Sequence, residues 1–193
     1  MKLSTLEFVP SRILTAPQIL YRIQRLRARA GTLSIGPLRV APAHLLAGRF
    51  DLKGVPVGYF AETPETAAYE TFARRETLHV SAATLAQRGL LCVKTTRPLT
   101  MLDLRPHTGS WPVLQSLRFG QTQALAADAA AEGFDGVMYH SVQHFSRDCF
   151  AVFGSALDAV KLVWRQHLVE RMTGNVHQVA AEALRGSQLP LVP

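Results

Sequence analysis

Cysteine is scarce: the 193-residue chain holds two, Cys92 and Cys149. Both fall in apolar runs that read as strands, so two buried thiols are expected rather than a disulfide framework. No CxxC pair occurs and no four ligands stand at a recognisable zinc spacing, so no metal is expected. Long apolar runs are also lacking. None approaches the roughly 18 residues that cross a bilayer. The opening segment from Met1 to Pro10 is broken by polar residues and has no small-residue cleavage site, so the expected location is the cytoplasm, with no membrane partner. There is no GxGxxG or Walker loop for a bound nucleotide cofactor, and no GxSxG nucleophile elbow. Repeats, low-complexity tracts and Ser/Gly-rich linkers are missing too.

Acidic residues are in deficit, 14 against 21 Lys and Arg, giving a formal net charge of +7. That balance implies an anionic partner: nucleic acid, an anionic small molecule or an acidic protein surface. No helix-turn-helix, zinc finger or RNA-binding aromatic signature is present, so direct nucleic-acid binding is the weakest of the three. Hydrophobic residues make up 48% and charged residues 18%, which fits one ordered domain of this length.

The pattern of elements is mixed. Gln18 to Ile23 reads as a strand or as the start of a helix through Arg29. Residues 31–52 carry recurrent Gly and Pro and read as loops, with a short helix around Pro42 to Leu46. Val57 to Ala61 reads as a buried strand. Thr63, Pro64 and Glu65 then give an N-cap, a first helical position and a dipole-matched acid. The helix they start is expected to reach Arg75, with Ala67, Ala68, Thr71 and Phe72 inward. Strands are expected at Leu90 to Thr95, Leu99 to Leu104, Asp135 to His140, Cys149 to Gly154 and Ala159 to Trp164. A helix is expected from Gln121 to Glu132, closed by Gly133, and the tail after Gly174 has helical character. The reading is an α+β single domain: a lead-in over 1–16, the domain proper over 17–165, and a helical tail over 166–193 that packs on or extends it.

Four local features carry chemistry: Tyr21-Arg22-Ile23; Gly48-Arg49-Phe50-Asp51 with Gly54 and Tyr59 beyond; Glu70 in the following helix; and Asp135-Gly136-Val137-Met138-Tyr139-His140-Ser141, completed by Cys149 to Phe153. Taken singly, each has a plain structural reading. Arg22 suits a solvated surface, Arg49 a loop pair with Asp51, Glu70 an i,i+4 pair with Arg74, Tyr59 core packing, and Ser141 a turn. His140 and His144 bracket Ser141, but no orienting acid accompanies them and a hydrolase triad is not expected.

In this order, over roughly residues 20 to 155, the features resemble the RES domain, named for its arginine, glutamate and serine. Ala47 stands where a second glycine is frequent, Phe50 where tryptophan is common, and His140 where proline often precedes the serine. The resemblance implies an ADP-ribosyltransferase-like split, mixed sheet with flanking helices. It implies a toxin of a toxin–antitoxin pair that cleaves the nicotinamide–ribose bond of NAD⁺, by hydrolysis or by phosphorolysis with inorganic phosphate as co-substrate. Transfer of ADP-ribose to a protein is the alternative activity, and a basic nucleic-acid-binding module the distant one. NAD⁺ is then substrate, with no cofactor. An antitoxin, often itself DNA-binding, is the implied protein partner and a route to oligomers. The implied catalytic residues are Glu70, Arg49 and Ser141; Arg22, Tyr21, Arg49, Tyr59 and Ser141 are implied to hold NAD⁺. The residue types suit this. Bond cleavage builds positive charge on the ribose, which a fixed carboxylate stabilises. Guanidinium groups clamp a pyrophosphate or ribose edge, and a tyrosine offers a flat face for the nicotinamide ring.

Overall fold

The computed structural model describes residues 3, 10–116 and 118–193; of the lead-in expected over 1–16, positions 1, 2 and 4–9 lie outside the described residues. Its centre is an eight-stranded mixed sheet. In chain order the strands are β1 (Ser11–Leu14), β2 (Ile19–Arg25), β5 (Val57–Ala61), β7 (Arg88–Thr95), β8 (Leu99–Asp103), β9 (Gly136–His140), β10 (Asp148–Phe153) and β11 (Val160–His167). In space they run β1-β8-β9-β10-β5-β2-β7-β11. Only β8 and β9 pair in parallel; every other neighbour is antiparallel.

Both faces of the sheet are covered, which is why its central strands read as unbroken apolar runs rather than alternating ones. In β7, Leu90, Leu91, Cys92 and Val93 are all buried; Leu90 belongs to one core, Leu91 and Val93 to a second. One core lies under three helices, α1 (Pro64–Phe72), α3 (Phe119–Ala131) and α4 (Gln178–Gly186), and holds Phe50, Phe72, Leu90, Leu125 and Leu184. The other holds Leu20, Leu38, Phe60, Leu91, Met101 and Phe150. Two small sheets complete the fold. One is a hairpin of β3 (Leu33–Ile35) and β4 (Leu38–Val40); the other is a parallel pair of β6 (Val80–Ser81) and β12 (Leu191–Val192), beside the short helix α2 (Ala82–Ala86). No helix among the described residues is long and apolar enough to cross a membrane.

Several expectations are corrected. Of the two readings of Gln18 to Ile23 the strand holds, as β2 over Ile19–Arg25, and the helical reading through Arg29 fails. The helix expected at Pro42 to Leu46 is a turn: Leu45 N–H reaches Pro42 O, and Leu46 then turns to a φ of 45°, which ends helical progress. Helix α1 stops at Phe72 instead of Arg75, where the Ala73 N–H closes on Tyr69 O. Thr71 is only partly buried, and Thr66 takes its place in the inner stripe. Ser11–Leu14 is an edge strand paired along β8, and β11 continues past Trp164 to His167.

The Asp135-Gly136 dipeptide has a structural job. Asp135 accepts from both Arg97 terminal nitrogens, at 2.8 and 3.1 Å, and from Thr100 N at 2.9 Å. A Cβ at Gly136 would stand 2.2 Å from the Ala151 carbonyl oxygen on β10. Any other residue there would push β9 and β10 apart.

The sheet has one weak seam. β2 and β5 share a single paired position, Tyr21 with Ala61, whereas β2 pairs with β7 over seven. Beyond Tyr21 the two strands part, and the opening is where the site lies.

Candidate functional site

Arg22 is the first residue past the last paired rung. Its Nη1 donates to Tyr59 O at 2.7 Å and its Nη2 to Arg39 O at 2.9 Å. The side chain thus bridges the seam where backbone pairing has ended, and Nε is buried without a partner. Burial pushes the guanidinium down to about 10, so it is still charged at neutral pH. The surface-arginine reading of Arg22 does not hold.

Arg49 rides on a loop whose sequence explains its rigidity. Asp51 accepts from Gly48 N at 2.6 Å and from the Tyr59 hydroxyl at 2.8 Å. The same hydroxyl accepts from Phe50 N at 2.9 Å. A Cβ on Gly48 would stand 2.4 Å from the Tyr59 oxygen and 2.5 Å from Asp51 Oδ1, so glycine is required by close approach. Phe50 is fully buried, its ring 4.8 Å from that of Tyr139. From the other side, Thr122 Oγ1 on α3 donates to Arg49 O at 2.5 Å, and Gln123 Nε2 donates to Leu46 O and Gly48 O. Arg49 Nη1 in turn donates to Leu114 O at 2.5 Å and Ser116 O at 2.9 Å, with the Phe119 ring 5.3 Å from its guanidinium carbon. Burial lowers its pKa, while Tyr139 and Glu70 pull the other way. Asp51 therefore serves Tyr59 and the Gly48 amide rather than Arg49. The Tyr59 hydroxyl is consumed within this loop, and burial, followed by Asp51, raises its pKa well above the usual value.

Glu70 sits on α1 and is half-buried. Helix α1 begins at a Thr63 cap, whose Oγ1 accepts from Thr66 N at 3.1 Å, and packs against β2 and β5. Nine residues therefore suffice to hold one turn over the seam. The Ser141 hydroxyl donates to Glu70 Oε1 at 2.5 Å. Ser141 is buried, and its oxygen also accepts from His144 N at 2.8 Å and Gln143 N at 3.2 Å. It stands behind Glu70 and is not among the residues that line the cavity. The plain reading of Glu70 as an ion-pair partner of Arg74 reduces to a long 3.4 Å contact from Arg74 Nε to the Glu70 carbonyl. His144 Nδ1 lies 3.0 Å from Thr66 Oγ1, and its ring stacks on Tyr69 at 4.4 Å, so no imidazole reaches the Ser141 hydroxyl.

The loop between β9 and β10 that carries Ser141 is anchored below. Arg105 pairs with Asp103 at 2.6 Å and also with Asp148; Asp148 Oδ1 lies 3.5 Å from His140 Nε2. Ser141 N donates to Arg147 O at 2.7 Å, closing the loop.

Around these residues is a cavity of about 630 Å³, lined by Arg22, Arg49, Tyr59, Glu70, Tyr21 and Tyr139, among others. That volume lies within the roughly 300–1,000 Å³ of small-molecule sites. Seven arginines line it against two glutamates, Glu70 and Glu76. A carboxylate held by Ser141, Glu70, beside a strongly positive wall suits an anionic ligand that develops positive charge at one point. Tyr21 lies at the mouth of the seam with its ring 6.2 Å from Trp164. Of the expected residues, Arg22, Arg49, Tyr59, Tyr21 and Glu70 meet at one cavity, and Ser141 reaches it only through Glu70. The supports that sequence reasoning missed are Arg105, Thr122 and Gln123. Besides its near neighbour Asp103, Arg105 reaches Asp148 across 43 residues, and Thr122 and Gln123 act across 73 to 77, so the contacts that reach the site leave no local pattern.

Comparison with known proteins adds two findings. The family model described as RES domain matches residues 19–172. Among solved structures, a chain of the M. tuberculosis MbcT–MbcA toxin–antitoxin complex shares the fold, with a TM-score of 0.60 at 17% identity; the match covers 81% of this chain and 86% of that one. No curated protein matches.

Proposed function

The chain belongs to the RES-domain family, and on that premise we propose that it is the toxin of a toxin–antitoxin pair and consumes NAD⁺ by breaking the nicotinamide–ribose bond. The observation that carries this reading is the convergence of Arg22, Arg49 and Glu70 on one cavity at the seam of the sheet, with a Glu70 oxygen fixed by Ser141.

In the proposed reaction the C1′–N bond breaks and its electron pair leaves with the pyridinium nitrogen, giving neutral nicotinamide. No general acid is needed. Positive charge develops on C1′ and the ring oxygen, and Glu70 stabilises it as a carboxylate already oriented by Ser141, so little reorganisation accompanies the step. Arg22 and Arg49 hold the pyrophosphate or the ribose edge. Water or phosphate then attacks C1′; with water the products are ADP-ribose, nicotinamide and one proton released to solvent. Ser141 is a positioning residue in this scheme, because its hydroxyl proton is committed to Glu70 and its oxygen is shared by two amides. The partner would be an antitoxin that covers the positive cavity.

The test uses purified protein with NAD⁺, with and without inorganic phosphate. Nicotinamide release with ADP-ribose marks hydrolysis, and release with phosphorylated ADP-ribose marks phosphorolysis. ADP-ribose found only on protein would move the reaction to a transferase. No nicotinamide release under any of these conditions contradicts the reading.

A further inference from the structure

The cavity does not end at the seam. Along α1 it passes Glu70 and Thr71 to Arg74, and along β2 it runs from Arg22 to Arg25, with Arg88 in the wall. Three residues of strand place Arg25 about 10 Å along β2 from Arg22 and on the face that α1 covers, the face of Ile23 and of Arg88 over Phe72. Arg25 and Arg88 are directly opposite in the β2–β7 register, an arrangement of like charges that costs stability unless something else is gained.

No ion pair among the described residues neutralises this group. Among the described residues the ion pairs involve Arg97, Arg105 and His140 but not Arg25, Arg74 or Arg88. Glu76 lines the same cavity without pairing to them. Arg25 Nη1 donates to Gln87 Oε1 at 2.9 Å. Arg88 lies over the Phe72 ring at 5.7 Å, and its Nε is buried with no partner. Burial first, then Arg25, Arg74 and Arg29, bring the Arg88 guanidinium down to about 10. A cation under that pressure is relieved by an anion from outside.

Resting on the reading of Glu70, Arg22 and Arg49 given above, we infer that Arg25, Arg74 and Arg88 form a second anion subsite for a phosphate monoester on the adenosine ribose, so that the enzyme accepts the 2′-phosphorylated dinucleotide, NADP⁺, at least as readily as NAD⁺. With the nicotinamide ribose at Glu70 and the pyrophosphate at Arg22 and Arg49, the adenosine half is the part that reaches outward. NAD⁺ brings no further anion to that end. A monoester carries about −1.5 to −2 charges and three acceptor oxygens, a match for three guanidinium groups.

The deciding experiment compares kcat/KM for NADP⁺ and NAD⁺ in the wild type, Arg88→Gln and Arg74→Glu; Arg74 is exposed, so its substitution leaves the fold intact. The same proteins are titrated by calorimetry with adenosine 2′,5′-bisphosphate and with AMP. The wild type is expected to turn over NADP⁺ at least as well as NAD⁺ and to bind the bisphosphate about tenfold or more tighter than AMP, both preferences collapsing in the variants. Equal loss for both dinucleotides would assign these arginines to the pyrophosphate and overturn the inference. So would unchanged preferences, or a loss in Arg88→Gln confined to stimulation of NAD⁺ turnover by free phosphate. Absence of turnover with either dinucleotide counts against the proposed reaction, and the calorimetric comparison then still decides the subsite.

Discussion

At the scale of single residues, the serine is the most informative position. Its hydroxyl holds Glu70 on one side and caps two amides of its own loop on the other. Ser141→Ala should lower kcat about 10- to 100-fold, because the carboxylate loses its fixed orientation, and leave KM within about twofold. It should also cost about 1–2 kcal/mol, from the amides left without an acceptor. Steady-state kinetics with thermal unfolding check both. A rise in KM at unchanged kcat would place the hydroxyl on the substrate instead. Glu70 itself was legible as a helix residue, but its partner was not, since the hydrogen bond spans 71 positions. Gly48 was visible as a motif glycine, and its reason lies eleven residues on, at Tyr59. Gly48→Ala should displace the Tyr59–Asp51 pair, costing roughly 1–3 kcal/mol and raising KM for NAD⁺ as Arg49 shifts. Unaltered Tm and KM would show that the loop tolerates the added methyl.

At the scale of elements, the seam between β2 and β5 organises the molecule, and two scaffolds hold its edges. One is the Gly48–Asp51 loop lashed to α3; the other is the Arg105 network beneath the loop that carries Ser141. Burial alone would raise the Asp103 carboxyl, but the Arg105 guanidinium outweighs it and holds the group below the usual carboxylate range. The stability this gives is complete above the unfolded carboxyl pKa of about 3.9 and is lost as pH falls below it. Arg105→Met should therefore be destabilised by roughly 3 kcal/mol at pH 7, with the deficit shrinking below about pH 4. Urea midpoints for both proteins across that range test it, and a pH-independent deficit would mean lost packing rather than lost charge pairing. Strands with dense apolar runs, such as Val57–Ala61, were legible from composition because they are buried on both faces. The three-residue strands β3 and β4 were not, because so short a hairpin carries little periodicity and Gly36 marks only the turn. The edge strand Ser11–Leu14 escaped for the same reason, with three of its four residues exposed.

For the whole molecule, the excess of positive charge and the split sheet have one explanation. Seven arginines gather on the cavity that the seam opens, so charge that read as diffuse along the chain is concentrated in space. Composition implies the sign of a partner; only the fold shows where the positive charge is gathered. The family order of arginine, glutamate and serine was readable along the chain because local signals surround it: Gly48 before Arg49, the Thr63-Pro64 start of the helix that carries Glu70, and the apolar strand that ends just before Ser141. The distinction between residues on the cavity and Ser141 behind it required the third dimension.

The most direct measurement is cellular NAD⁺ after induction of the wild-type chain beside Glu70→Ala and Arg49→Ala, with protein levels matched. A rapid fall in NAD⁺ with growth arrest in the wild type, and neither in the two variants, is the expected result. Growth arrest retained in both variants at unchanged NAD⁺ would contradict an NAD⁺-consuming site built on Glu70 and Arg49.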